Sequence, residues 1–516
     1  MRLNRTKNTL LGSTWGLINQ VIMVVFPFII RTCIIYVMGE QYVGLSSLFS
    51  AILSVLSLAE LGVGSAIVFS MYKPLADEDD AKICALLKLY RDVYTVIGIV
   101  VLGVGLLLLP FLPALINGST PSDINISYLY IIYLINSVIS YWFFAYKSCL
   151  LNALQRVDAV TMISLIIRVL GYIAQILVIC LTKNYYYYAI FLPITSVAIN
   201  LVIGKYVDIN YPQYKCSGKI DNREKKQIRK QVVGLLFQRL AYTSRNALDN
   251  IIISALLGLS VVAIYGNYFL ILNALTACLA VFFTAMQAGI GNSIVKENIE
   301  KNFDDLEKIN FIYMWIAGWC SICLLILMQP FMKIWVGERL MFPLGIVCLF
   351  SFYFFCMKLT DSIGAYIAAT GIWWECKWIY LFETLCNLVL NILLGFLFGV
   401  AGIIIATIIS VLFINYFFTT RKLFKIYFKE IPLYKFLKKN VLYFFVTITI
   451  AAISFISIQL ICNMIKGEIS VYLEMFIKTI ICVVVPNLLY YIFYKNLSIC
   501  KRTFAWLQHI LHLKRL

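Results

Sequence analysis

The sequence predicts an all-α polytopic membrane protein with about 14 transmembrane helices. Three observations lead there. Of 516 residues, 62% are hydrophobic and 13% charged, against roughly 25% charged in soluble domains. Mean hydropathy is +0.89. The apolar runs reach about 20 residues or more, the length that carries a helix across roughly 30 Å of hydrocarbon. Only helices and closed barrels satisfy their backbone polar groups in lipid, and the short alternating segments of a barrel are missing.

Taken in order, the candidate spans cover residues 11–38, 43–71, 93–116, 128–151, 159–181 and 186–207. A basic segment follows, with Lys215, Lys219, Arg223, Lys225, Lys226, Arg229 and Lys230. It reads as a linker between two halves. The second set covers 233–257, 261–295, 309–329, 341–369, 378–398 and 401–418, and after a basic loop two more spans cover 441–462 and 471–493. The expected organisation is an N-terminal six-helix bundle (1–208), a cytoplasmic basic linker (209–231), a second six-helix bundle (232–420), two additional spans (421–494) and a basic amphipathic tail (495–516). The first run starts behind Arg2, Arg5 and Lys7 and continues past Ile35. It is too long for a leader core and is expected to belong to the mature fold.

The net charge of +18 sits mostly in short loops, where lipid head groups and the cytoplasmic bias of Lys and Arg account for it without nucleic acid. Alternate loops are nearly bare: residues 117–127 carry no cation, nor does the turn Gly258–Ser260. Both termini are therefore expected in the cytoplasm. The two halves also echo each other. Gly62-Val-Gly-Ser-Ala-Ile67 precedes Asp79 and Asp80, as Gly289-Ile-Gly-Asn-Ser-Ile294 precedes Asp304 and Asp305, and Gly39 closes the first span as Gly258 closes the seventh. Parallel repeats about an axis along the membrane normal are expected. The 15 cysteines are scattered mainly through apolar spans and read as small packing residues. Neither Cys320 and Cys323 nor His509 and His512 make a metal site, since each pair lacks further ligands. No P-loop occurs, and no cofactor is expected.

Charge inside a span costs roughly 2.5–3.5 kcal/mol and marks a bundle interior or wet cavity. Arg31, Arg168, Arg245 and Lys358 are the candidate substrate-binding cations, because a planar guanidinium matches phosphate oxygens. Glu60, Asp249, Asp361 and Glu383 are candidates for ion coupling or gating, since burial raises a carboxyl pKa. Internal pairing is the alternative for Arg245 with Asp249 and for Lys358 with Asp361, which share helix faces. Arg31 and Arg168 have no acid one turn away. A two-bundle transporter with a cationic cavity and a polyanionic, phosphate-bearing substrate follows.

The segment Gly44–Ile67, with its element Glu60-Leu-Gly-Val-Gly64, the loop Tyr72-Lys-Pro-Leu-Ala76 and Lys88-Leu-Tyr-Arg91, resembles the early part of the bacterial polysaccharide-transport flippases of the Wzx type. The span count and the mid-chain linker extend the similarity along the chain. The resemblance implies the multidrug/oligosaccharidyl-lipid/polysaccharide exporter fold, two six-helix bundles across a central cavity, here with two added helices. It further implies translocation of an undecaprenyl-pyrophosphate-linked oligosaccharide across the inner membrane by alternating access, without bond chemistry. Membrane lipids and the polysaccharide polymerase and chain-length machinery are the implied partners. Rival readings are a peptidoglycan lipid-precursor flippase, an ion-coupled multidrug exporter, and a membrane polymerase or ligase, which would need larger outer loops.

Overall fold

A computed structural model of the chain describes residues 5–57, 63–464 and 470–513. Among these residues the structure is helical with no strand, and ten helices are long and apolar enough to cross a membrane, or eleven if one bent pair counts as a span. This is a multi-pass membrane protein. It divides into two compact units, Met1–Cys278 and Leu279–Leu516.

The first unit contains α1 (Arg5–Val37), α2 (Glu40–Leu56), α3 (Val63–Ala76), α4 (Asp80–Leu107), α5 (Ile126–Trp142), α6 (Ala145–Ala153), α7 (Val157–Thr182), α8 (Tyr185–Asn210) and α9 (Asn222–Leu257). The early part of α10 (Leu259–Lys296) completes it. Polar side chains define several starts: Asp79 accepts from the Lys82 amide, Asn125 from Ser127 and Tyr128, and Asn184 from Tyr186, satisfying amides that a first turn leaves open. Gly39 and Gly258, at φ 118° and 91°, make the corresponding breaks between α1 and α2 and between α9 and α10 that the repeat led us to expect. Gly44 also lets α2 lie against α10, since a Cβ there would sit 2.3 Å from the Leu259 carbonyl oxygen.

Two expected spans are broken. The span at 43–71 is divided between α2 and α3, and Glu60 lies outside the described residues. The span at 128–151 bends by 47° between α5 and α6, where Phe144 takes φ 55°, a left-handed conformation that costs a bulky residue energy. Arg239, Arg245 and Asp249 interrupt the apolar pattern of α9, which is not among the ten. Within the segment expected as linker, only residues 211–221 are non-helical.

The second unit is built on α11 (Ile299–Val336), which packs against α12 (Leu344–Thr370), α15 (Leu433–Met464), α16 (Val471–Tyr494) and α17 (Ser498–Leu513). Indole and hydroxyl groups stitch α16 to its neighbours: Trp315 Nε1 donates to Asn487 Oδ1 at 3.0 Å, Trp319 Nε1 to the Cys482 carbonyl at 2.8 Å, and Tyr490 to Thr447 on α15 at 2.8 Å. The remaining elements are α13 (Trp373–Ile409), a π-helical turn Ser410–Tyr416, and α14 (Phe417–Ile426). Gly399, at φ 61° and ψ −137°, interrupts α13 where the sequence placed the boundary between two spans.

The tail helix α17 docks on α11. Arg502 pairs with Asp304 and Glu307, while Ile499 and Cys500 are buried. Arg502 is itself exposed, and Asp304 and Glu307 keep Lys308 and Lys439 as partners without it, so its removal leaves no buried charge unpaired, whereas removing a buried Ile side chain costs about 2–5 kcal/mol. Ile499→Ala is therefore expected to speed tryptic cleavage at Lys501 in purified protein far more than Arg502→Ala does.

Candidate functional site

The first unit brings Arg31 and Arg168 to one helix. Arg31, on α1, donates from Nε to Asn267 Oδ1 at 2.5 Å and from Nη2 to the Ala263 carbonyl oxygen at 2.8 Å. Both partners lie on α10, more than 230 residues away. Gly266 makes room for the guanidinium, since a Cβ there would come within 2.5 Å of Nη2. Tyr185 and Tyr188 of α8 lie within its electrostatic reach. Tyr185 shares a hydroxyl contact with Tyr133 at 3.1 Å, and Tyr133 donates to Ser46 at 3.0 Å.

Arg168, on α7, reaches α1 two turns earlier, with Nη1 3.4 Å from Met23 Sδ. Tyr172 donates to the same sulfur at 3.6 Å, and its ring stacks on Phe26 at 5.3 Å. The two arginines thus lean on α1 at points separated by eight residues, or about 12 Å of helix. Among the described residues their hydrogen-bonding partners are a side-chain amide, a backbone carbonyl and a thioether. A guanidinium has five N–H donors; Arg31 uses two on α10, so its remaining face suits a planar anion.

The other charges have protein partners. Arg245 is buried and donates from Nε to the Ala241 carbonyl one turn back, while Asp249 is buried and accepts from Tyr265 at 3.0 Å. In the second unit, Lys358 pairs with Asp361 at 2.9 Å, and Tyr313 donates to the same carboxylate. The i, i+3 pairing that is the alternative reading for these two residues is present.

Glu383 heads a separate polar cluster. It is fully buried and accepts from Asn415 at 2.6 Å. One and two turns further along α13, Asn387 donates to Thr407 and Ser410 at 3.1 and 3.2 Å, and Asn391 donates to Asn387 at 3.3 Å. Asn387, Asn391, Thr407 and Ser410 are each no more than 1% exposed, in the most apolar stretch of the chain. The adjoining π-helical turn shifts the backbone pattern beside Asn415, and such turns occur frequently at functional sites. Carboxylate, amide and hydroxyl groups so arranged can hold a proton or a small cation.

Sequence reasoning named Glu383 and missed its neighbours. The signal was there, because Glu383, Asn387 and Asn391 recur at the i, i+4 spacing of one helix face. Asn267 and Gly266 carried no such mark.

No protein-family model matches the sequence, and no curated protein matches it. Solved structures do match. A structure described as the lipid II flippase MurJ in an inward closed conformation has 16% sequence identity and a TM-score of 0.67, covering 95% of this chain and 99% of its own. An inward-facing multidrug resistance MATE family transporter of the MOP superfamily has 13% identity and a TM-score of 0.61, covering 79% of this chain and 97% of its own. An outward-facing transporter of that family has 13% identity and a TM-score of 0.55, over 82% and 96%. The chain has the fold shared by these flippase and multidrug-transporter structures.

Proposed function

We propose that the protein is a flippase of the bacterial inner membrane, with both termini cytoplasmic. It moves undecaprenyl-pyrophosphate-linked oligosaccharide repeat units to the outer leaflet by alternating access, for capsule, exopolysaccharide or O-antigen synthesis. No covalent bond changes. The observation that carries this reading is coverage. The lipid II flippase structure spans 95% of the chain and the multidrug transporters about four fifths, so the multidrug fold leaves about a fifth of this chain unmatched. The neutral hydrogen-bonding partners of Arg31 and Arg168 among the described residues add support, because a guanidinium held in the membrane attracts a phosphate.

In this mechanism Arg31 and Arg168 hold the pyrophosphate and Arg245 assists. Lys358 contributes least, since Asp361 already neutralises it. The polyprenyl tail remains in lipid while alternating access carries the pyrophosphate across. Polymerase and chain-length proteins take up the product. Coupling is assigned first to Glu383, whose cluster offers several buried oxygen ligands, and then to Asp249, Asp361 and Glu60. Glu383→Gln preserves the acceptor for Asn415 and removes the charge. It is expected to abolish stimulation of transport by an imposed sodium or proton gradient in everted vesicles, with the unfolding temperature nearly unchanged.

The deciding experiment deletes the gene and assays lipid-linked repeat units, which should accumulate on the inner face. Normal export in the deletion strain would refute the proposal. The likeness to a lipid II flippase favours a second reading, translocation of the peptidoglycan precursor. Rescue of a strain depleted of its essential lipid II flippase would establish that reading instead.

A further inference from the structure

The segment expected to be a plain linker is folded. Residues 211–221 lie over the end of the first unit where α4 begins and α8 ends. Tyr211 and Ile220 are buried, Cys84 Sγ donates to the Gln213 carbonyl at 3.6 Å, and a Cβ on Gly218, which takes φ 90°, would meet the Ala85 Cβ at 3.3 Å. The loop walls a cavity of about 170 Å³ together with α4, α6 and α8. Its polar lining is Tyr146, Lys147, Asp208, Tyr214, Lys215 and Cys216. This volume is below the roughly 300–1,000 Å³ of sites for drug-sized ligands, so the cavity suits one compact group and not a sugar chain.

The charges in the cavity are arranged unequally. Lys147 has a side chain 11% exposed and donates to both oxygens of Asp208 at 2.7 Å, with its ammonium 4.5 Å from the Phe144 ring. The Asp208 side chain is 65% exposed. The lysine cannot leave, whereas the carboxylate borders water and can turn away when another anion takes its place on the buried ammonium. Lys215 is an exposed cation on the rim, and Arg91 lies within electrostatic reach of Tyr146 and Cys216. Burial pushes the Cys216 thiol and the Tyr214 phenol upward, so both remain neutral near pH 7 and offer hydrogen bonds without negative charge. With Asp208 turned away, the cavity is a cationic cup with phenolic walls.

We propose that this cavity binds a phosphate group, with the Asp208 carboxylate standing in for the anion on Lys147 until a phosphate displaces it. The site is separate from the intramembrane arginines. It rests on the proposed orientation only for its source, the phosphodiester of an anionic phospholipid in the inner leaflet. The surface potential of that leaflet concentrates such contacts.

The test is native mass spectrometry of the detergent-purified full chain titrated with phosphatidylglycerol, using phosphatidylethanolamine as the zwitterionic control and inorganic phosphate as competitor. Asp208→Asn should tighten phosphatidylglycerol binding about tenfold, because the resident competitor is lost. Lys215→Ala, at an exposed position that does not endanger folding, should weaken it about tenfold, and Lys147→Gln should abolish it. Displacement by millimolar inorganic phosphate would support the site and assign it to a soluble phosphate. Unchanged or weaker binding in Asp208→Asn, or equal affinity for the zwitterionic lipid, would overturn the proposal. Because binding in detergent requires neither transport nor orientation, that failure would leave the flippase reading standing.

Discussion

On the proposed flippase function, Arg31→Ala is expected to reduce translocation of lipid-linked oligosaccharide at least about tenfold, with Arg31→Lys recovering only a small part. The guanidinium performs two tasks at once. Its Nε and Nη2 hold Asn267 and the Ala263 carbonyl on α10, and its charge is within electrostatic reach of Tyr185 and Tyr188 of α8. A lysine ammonium is a point charge on a flexible stem, able to keep either the α10 contact or a phosphate but not the planar geometry of both. Hydrogen bonds to charged groups contribute roughly 1.5–3 kcal/mol each, so the alanine variant should also lose stability. Asn267→Ala separates the two effects, since it removes one contact to α10 and leaves the charge. Transport by Arg31→Ala at the wild-type rate, measured with lipid-linked substrate in proteoliposomes, would exclude Arg31 from the substrate path.

Gly402→Ala is expected to be the most destabilising single-methyl change in the second unit, costing about 3 kcal/mol, the upper end of overpacking effects. Gly399 folds α13 back so that a Cβ on Gly402 would lie 1.8 Å from the Leu394 carbonyl oxygen and 2.4 Å from its carbon. In an unbroken helix residues eight apart are about 12 Å distant. The obstructing atoms are backbone and cannot rotate aside, unlike a side-chain tip. A displaced hairpin would also pull Thr407 and Ser410 away from Asn387, so gradient coupling should fail along with stability. Gly103→Ala is the control. Nothing lies within 4 Å of a Cβ at that position, and alanine favours a helix over glycine by about 1 kcal/mol. A lower unfolding midpoint for Gly402→Ala but not for Gly103→Ala is the expected result.

The sequence by itself located most of the apolar helices and where they stop, although ten or eleven of the described helices, against about 14 expected, have the length and apolarity of a span. Span formation is a sum of local transfer free energies over about 20 residues, so a window of residues suffices. Gly39, Gly258 and Gly399 mark breaks because only glycine accepts those backbone angles cheaply, and that too is local. Lys358 with Asp361 was legible because three residues on a helix fix a shared face.

Tertiary structure decided the rest. Nothing near Arg31 in sequence points to Asn267, because a buried charge can be satisfied by any neighbour that packing delivers. Bending at Phe144, the fold of the loop 211–221, and the docking of α17 through Ile499 likewise follow from which surfaces meet. Charges in membrane helices are therefore easy to locate from sequence and hard to assign. Their cost is set by the residue's own position, while their function is set by partners that only the packed helices bring within 3 Å.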